Sequence, residues 1–520
     1  TLFSNTTGTR NTAVGRVALA SNTVGSYSNA FGYGALYSNT TSGNNAFGYN
    51  ALRNNTIGYS NVAMGHTALA SNTIGSLNTA VGYSSLTANT TGSNNSAFGT
   101  YALNSNTTGI YNTAIGRSAL SVNIIGSANT AVGFQALEAN TTSNNSAFGY
   151  KALAVNTIGT DNTAVGRSAL QTNTTGSYNT AVGRTALYSN TIGTNNSAFG
   201  FYALSSNTTG NSNVAVGLYA LSNNTIGANN VALGTQALLN NTTGSKNIAV
   251  GRDALRNNTI GDRNCAFGYA SLYNNTTGGV NSAFGYNALF ANTIGFQNVA
   301  IGRSALEANT TGSNNVAVGS NSLQLNTIGA NNTAIGYLSL FTNTTGNKNT
   351  AVGGNSLYSN TIGANNSAFG YQALYYNTTG VNNVSVGLQA LYVNTGGYNN
   401  VAIGNAALAA NTIGINNVAV GHNSLVTNVV GYANTAVGFY SLLNNTTNFN
   451  SAFGYKALQS NTTGGLNTAV GYRSLLANTI GSQNVAVGRD TLASNTIGDV
   501  NTAVGGAALS TNTTGSYNSA

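Results

Sequence analysis

The residues able to do acid–base, nucleophilic or metal chemistry are few and scattered. Among 520 residues there are seven carboxylates, two histidines and one cysteine. A hydrolytic site needs two carboxylates facing one bond. Of Glu138, Asp161, Asp253, Asp262, Glu307, Asp490 and Asp499, only Asp253 with Asp262 and Asp490 with Asp499 lie close in sequence. Arg252, Arg256 and Arg263 surround the first pair and Arg489 adjoins the second, so both read as surface ion-pair clusters. His66 and His422 are remote from each other. No metal-ligand spacing, nucleophile triad or phosphate-binding loop occurs. The chain is therefore expected to be no enzyme, with no catalytic residue, no metal and no cofactor. Cys265 is alone, which excludes an intrachain disulfide, and reads as a small buried side chain.

What recurs instead is an aromatic ring or a guanidinium directly after a glycine. That place holds Tyr33, Tyr49, Tyr83, Arg167, Arg184, Arg252, Tyr269, Tyr286, Arg303 and Tyr337, among others. If these residues stack, they form a ribbon with two readings. Rings and guanidinium groups could pile on one another by cation–π contact and stiffen the structure. Alternatively, the ribbon binds glycans or an anionic surface.

The element that must position such a ribbon is a 17-residue repeat. Asn162-Thr-Ala-Val-Gly-Arg-Ser-Ala-Leu-Gln-Thr-Asn-Thr-Thr-Gly-Ser-Tyr178 restarts at Asn179. It recurs 30 times, with its first glycine at Gly15 and its last at Gly505. Three intervals, Gly32 to Gly48, Gly133 to Gly149 and Gly438 to Gly454, are 16 residues long. Counting the opening Asn as position one, Ala stands at three except for Ser385, an apolar residue at four, Gly at five, Leu at nine and Asn at twelve. A period this short cannot hold two helices, whereas strands and turns fit it. The expected fold is all-β, a parallel β-solenoid (β-roll) of about 30 coils, running through residues 1–520 as one array. Because it begins and ends in mid-repeat, it reads as an uncapped segment of a longer array.

Each coil is expected to hold two short strands, at positions two to four and nine to fourteen, with Leu, Val/Phe and Ile columns merging into the core. Side-chain alternation puts two and four on one side and Ala at three on the other. An outward Ala would mean close approach by a neighbouring chain or by the opposite face of the roll. The Asn at position twelve (Asn156, Asn173, Asn190, Asn207, Asn224) is expected to form an amide ladder, as stacked Asn does in parallel arrays. Units reading NTT also match a glycosylation acceptor at Asn173, Asn207 and Asn241. The ladder is the better account, because the Asn persists where the unit reads NTIG. From Asn156 to Asn377 the second turn alternates NTIG with NTTG. Amplification by pairs of units and alternating packing, with Ile filling the core beside Thr, both fit.

Charged residues are 4% of the chain and the net charge is +9. That is too dilute for a nucleic-acid interface. No apolar run reaches the length of a membrane span.

The runs NTAVG, NVAIG, NSAFG and NVAVG resemble the repeats of YadA-like trimeric autotransporter adhesin heads. They are similar also to the NTAxGxxAL…NTTG arrays of tail-fibre-like surface proteins. The resemblance covers the whole chain, although adhesin-head units are usually shorter. It implies a β-roll projecting from a cell or virion surface, commonly as a trimer. Three functions follow: a structural extracellular fibre whose partner is itself, as a homo-oligomer or filament; an adhesin using the Tyr/Arg ribbon; and an ice-binding solenoid using the Thr at position thirteen.

Overall fold

The computed structural model describes residues 1–520. They form two compact units, Thr1–Asp262 and Arg263–Ala520. Each is a parallel β-solenoid of 17-residue turns without a helix. The first unit holds fifteen strands, from β1 (Thr12–Val14) to β15 (Ile248–Val250). The second holds fifteen more, from β16 (Cys265–Phe267) to β30 (Thr502–Val504). Every strand has three residues, at positions two to four, and pairs in parallel with the equivalent strand of the adjacent coil. In β10 (Thr163–Val165) and β11 (Thr180–Val182), Ala164 sits opposite Ala181 and Val165 opposite Val182.

One strand per coil is a correction to the expected two. Positions nine to fourteen are turns, and they meet the neighbouring coil by hydrogen bonds spaced round the circuit. In the coil from Asn162 to Tyr178, Thr163 N donates to Asn179 O at 2.8 Å, Leu170 N to Ala186 O at 2.9 Å and Thr174 N to Thr191 O at 2.9 Å. The next coil answers with Gly183 N to Val165 O at 2.8 Å and Thr185 N to Arg167 O at 3.0 Å. Backbone donors of successive turns thus point alternately up and down the stack. That alternation requires left-handed residues between them. Position nine adopts positive φ although it is Leu (Leu170, 53°), and so do position seven (Ser168, 57°) and position seventeen (Tyr178, 60°). A left-handed residue with a Cβ costs about 1–2 kcal/mol, which the coil-to-coil hydrogen bonds and Leu burial must offset.

The core differs from the expected one in a second way. Ala at position three is the inward residue, fully buried from Ala30 to Ala503, and Ser385 is buried in its place. Position eight and Leu at nine complete the apolar interior. The Val/Phe column faces out, with Phe148 42%, Val165 37% and Phe199 41% exposed. So does Ile at fourteen, with Ile158 61% exposed, and it therefore does not fill the core beside Thr. The reason is volume. A coil of this length, flattened around one Leu, leaves room beside the strand for a methyl group and none for a phenyl ring. The stacked alanines therefore face the inside of their own coil and mark no chain–chain contact. Where Ser replaces Ala at position eight, its hydroxyl finds a carbonyl, as Ser339 Oγ does on Gly336 O at 3.0 Å; a buried polar atom must be paired.

Gly at position five is needed for close approach. At Gly217, φ is +132° and a Cβ would lie 2.7 Å from Gly234 O and 2.8 Å from its carbonyl carbon. Only glycine lets the coils stack at strand spacing there.

Candidate functional site

Arrays of side chains run along each unit, both inside it and on its surface. The internal ones are built from Asn. At position twelve, within each unit and in the 17-residue coils, the amide donates to the amide oxygen one coil back and to the second-turn carbonyl of its own coil. Asn173 Nδ2 meets Asn156 Oδ1 at 2.8 Å, Asn190 meets Asn173 at 2.8 Å, Asn207 meets Asn190 at 2.8 Å and Asn224 meets Asn207 at 2.9 Å. Asn190 Nδ2 also donates to Gly193 O at 2.9 Å. All five are fully buried, and so is Asn241. Burial leaves Asn173, Asn207 and Asn241 inaccessible to glycosylation in the folded chain. A second Asn array, at position one, works differently: Asn162 Oδ1 accepts from the backbone N–H of Asn179 at 3.0 Å.

The ladder is interrupted three times, and each interruption falls at a 16-residue interval. There the glycine at position fifteen is missing, and the Asn of that coil turns to a threonine carbonyl instead: Asn39 to Thr41 O and Asn140 to Thr142 O at 2.7 Å, Asn445 to Thr447 O at 2.9 Å. The acceptors they would have met, Oδ1 of Asn22, Asn123 and Asn428, are buried without a hydrogen-bond partner. One deleted residue in a surface turn thus removes one internal link.

The surface array is the ribbon. In the first unit Tyr33, Tyr49, His66 and Tyr83 stack in succession with centroids 5.3, 5.0 and 5.2 Å apart. Arg167 lies 5.8 Å over Tyr150 and Arg184 5.5 Å over Phe201. Arg252 pairs with Asp253 at 3.2 Å. In the second unit Tyr269 and Tyr286 stack at 5.3 Å. Arg303 adds no cation–π contact to Tyr286, and Tyr337, flanked in its column by Ser320 and Gly354, stands 60% exposed without a ring partner. Because stacked rings cover one another's faces, the ribbon offers ring edges and phenol hydroxyls to solvent.

The carboxylates serve local structure. Asp253 bridges Arg252 and Arg256, Asp490 bridges Arg473 and Arg489, and Asp262 and Asp499 accept backbone N–H bonds from Ser245 and Ser482. No three His, Cys, Asp or Glu side chains converge on one point. Cys265 is half-buried on the outward side of its strand, not inside the coil, and burial pushes its thiol above the ordinary value. Thr at position thirteen uses its hydroxyl within the stack, as Thr174 Oγ1 does on Thr191 O at 3.0 Å. No helix is long and apolar enough to cross a membrane.

No protein-family model and no curated protein matches the chain.

Sequence reasoning missed a further aromatic column at position ten. Phe341, Tyr358, Tyr375 and Tyr392 stack at 5.2, 4.9 and 5.4 Å. Burial, and then the neighbouring phenols, push the Tyr375 and Tyr392 hydroxyls up. The signal was four aromatics at one repeat position in consecutive coils, and it was masked by the variability of that position elsewhere.

Proposed function

We propose that this chain is a structural repeat protein of an extracellular fibre, in which copies associate through the strand face. The observation that carries this is the chemistry of positions two and four. Neither holds a charged residue in any repeat, although these side chains form the outward side of every strand. Scattered apolar groups on a surface are ordinary, but a continuous uncharged face is characteristic of an interface. A position-four side chain about 40% exposed leaves roughly 50 Å² of apolar area, so the fifteen coils of one unit offer on the order of 750 Å², close to one side of a standard interface. The face repeats the same residue types at each coil, so a neighbouring copy meets an uncharged surface all along it, and contacts between unlike faces of adjacent copies close a ring. The resemblance to trimeric adhesin repeats supports three copies and a surface location.

Sedimentation equilibrium tests the reading. Mass in multiples of 52.5 kDa is expected. Replacing Phe148 and Phe199 together by Lys should return the monomer with an unchanged circular dichroism spectrum. A native chain that is monomeric at micromolar concentration would sink the proposal.

A second reading, adhesion through the ribbon, is favoured by the exposure of its stacked rings, 44% at Tyr269 and 51% at Tyr286. Serine at Tyr269, Tyr286 and Arg303 should then abolish attachment to glycan-coated surfaces with the fold intact; unchanged attachment removes that reading.

A further inference from the structure

The aromatic column at position ten contains a notch. In the first unit the column reads Tyr188, Ser205, Ser222, Leu239. Two serines follow a tyrosine, so the face of Tyr188 toward Ser205 has no ring stacked on it within its column. Beside this gap, Tyr202 and Tyr219 at position seven stack at 5.4 Å, and Phe201 braces Tyr202 edge-on at 4.4 Å. The space left is a cavity of about 370 Å³ lined by Thr185, Tyr188, Ser189, Tyr202, Ser205 and Ser206. Where the column is filled, as at Tyr358 and Tyr375, the rings cover each other instead.

All six lining residues carry a hydroxyl and none carries a charge. Ser205 and Ser222 share a hydrogen bond of 3.0 Å on the floor. Thr185 Oγ1 donates to Arg184 O at 2.7 Å and keeps its lone pairs. Ser189 and Ser206 use their backbone N–H groups in the coil stack, on Ser205 O at 2.9 Å and Ser222 O at 3.0 Å, and their hydroxyls have no protein partner. A hydroxyl both donates and accepts and rotates to suit. The volume is at the small end of ligand sites, enough for one ring. An anion would require a lining Arg or Lys, and a flat aromatic would leave the hydroxyls unsatisfied.

We propose that this notch binds a single neutral pyranose ring, its C–H face on Tyr188 and Tyr202 and its hydroxyls on Ser189, Ser205 and Ser206. The site is separate from the ribbon and does not depend on self-association.

The test is saturation-transfer NMR on the full chain, irradiating tyrosine ring protons in the presence of the methyl glycosides of glucose, galactose and mannose. Transfer to the ring C–H protons of at least one glycoside is expected. Ser205→Tyr fills the notch with a ring that continues the column, so it should fold and lose the signal. Tyr188→Ala, which removes one aromatic wall, should weaken binding by about tenfold. Should Ser205→Tyr fail to fold, Tyr188→Ala carries the test alone. Absence of transfer to all three glycosides, transfer unchanged in the notch variants, or binding of phenol in preference to every glycoside would each overturn the proposal. A signal lost only in the Tyr269, Tyr286, Arg303 variant would assign binding to the ribbon and equally refute the notch.

Discussion

Asn190 and Asn123 occupy the same repeat position and are both fully buried, yet truncating them should have different costs. Asn190→Ala strands Asn173 Oδ1, whose ladder donor is Asn190, and takes from Asn207 Nδ2 one of its two acceptors. Gly193 O keeps its bond from Asn179. A buried acceptor left unpaired costs about 1–3 kcal/mol and a lost hydrogen bond about 1 kcal/mol, so the expected total is about 2–4 kcal/mol. Asn123→Ala strands Asn106 Oδ1 but also removes an oxygen that already lacks a donor. The second effect offsets the first, leaving about 1 kcal/mol or less. Repeat arrays need not unfold in one step, so the assay must be local. Hydrogen exchange read at Leu187 and Thr191 for the first variant, and at Leu120 for the second, reports opening of the affected coils. At about 1.4 kcal/mol per factor of ten, Asn190→Ala should raise the opening equilibrium by roughly 30- to 700-fold and Asn123→Ala by about fivefold or less. Ile192→Thr, an exposed change to the residue adjacent coils already carry, should stay within about 0.5 kcal/mol. Equal effects of the two Asn variants, or an Asn190 effect under tenfold, would show that the ladder is not what holds adjacent turns together.

Three further outcomes are expected. Gly217→Ala should cost at least about 3 kcal/mol in local exchange, because its Cβ meets the Gly234 carbonyl with no flexible side chain to yield; a change under 1 kcal/mol would refute the packing reason for that glycine. Ala198→Leu should destabilise its coils by about 1–3 kcal/mol or more by overpacking the interior, whereas Phe199→Val, at the outward-facing next residue, should cost about 1 kcal/mol or less. The reverse order would mean that the strand faces have been assigned backwards. Cys265, held protonated by burial, should react with iodoacetamide at pH 8 more slowly than free cysteine, as mass spectrometry would show. Because its folded-state pKa is raised, its contribution to stability is present below the ordinary thiol pKa and declines as pH rises past it. Alkylation at the free-cysteine rate contradicts this.

The sequence by itself determined the period, the solenoid class and the Asn column, because each depends only on what recurs. Stacking equivalent residues at strand spacing follows from a strict repeat without further information. It also determined where the three short coils lie, although their consequence, an orphaned amide oxygen at Asn22, Asn123 and Asn428, needed the hydrogen bonds to be traced. The tertiary structure alone decided which strand face is inside. Alternation says that Ala164 and Val165 point opposite ways, but not which way is in. Hydrophobicity suggested Val and Phe; the narrow interior around one Leu admits only side chains as small as Ala, or the single Ser385. The left-handed backbone at Leu170 and Ser168 was equally illegible, since nothing in a leucine announces positive φ. It arises from the need of each turn to bond to the coils on both of its sides. The notch beside Tyr188 was hidden for a related reason. It is made by two small side chains at a variable position, and a gap in a column becomes visible only once the column has been stacked.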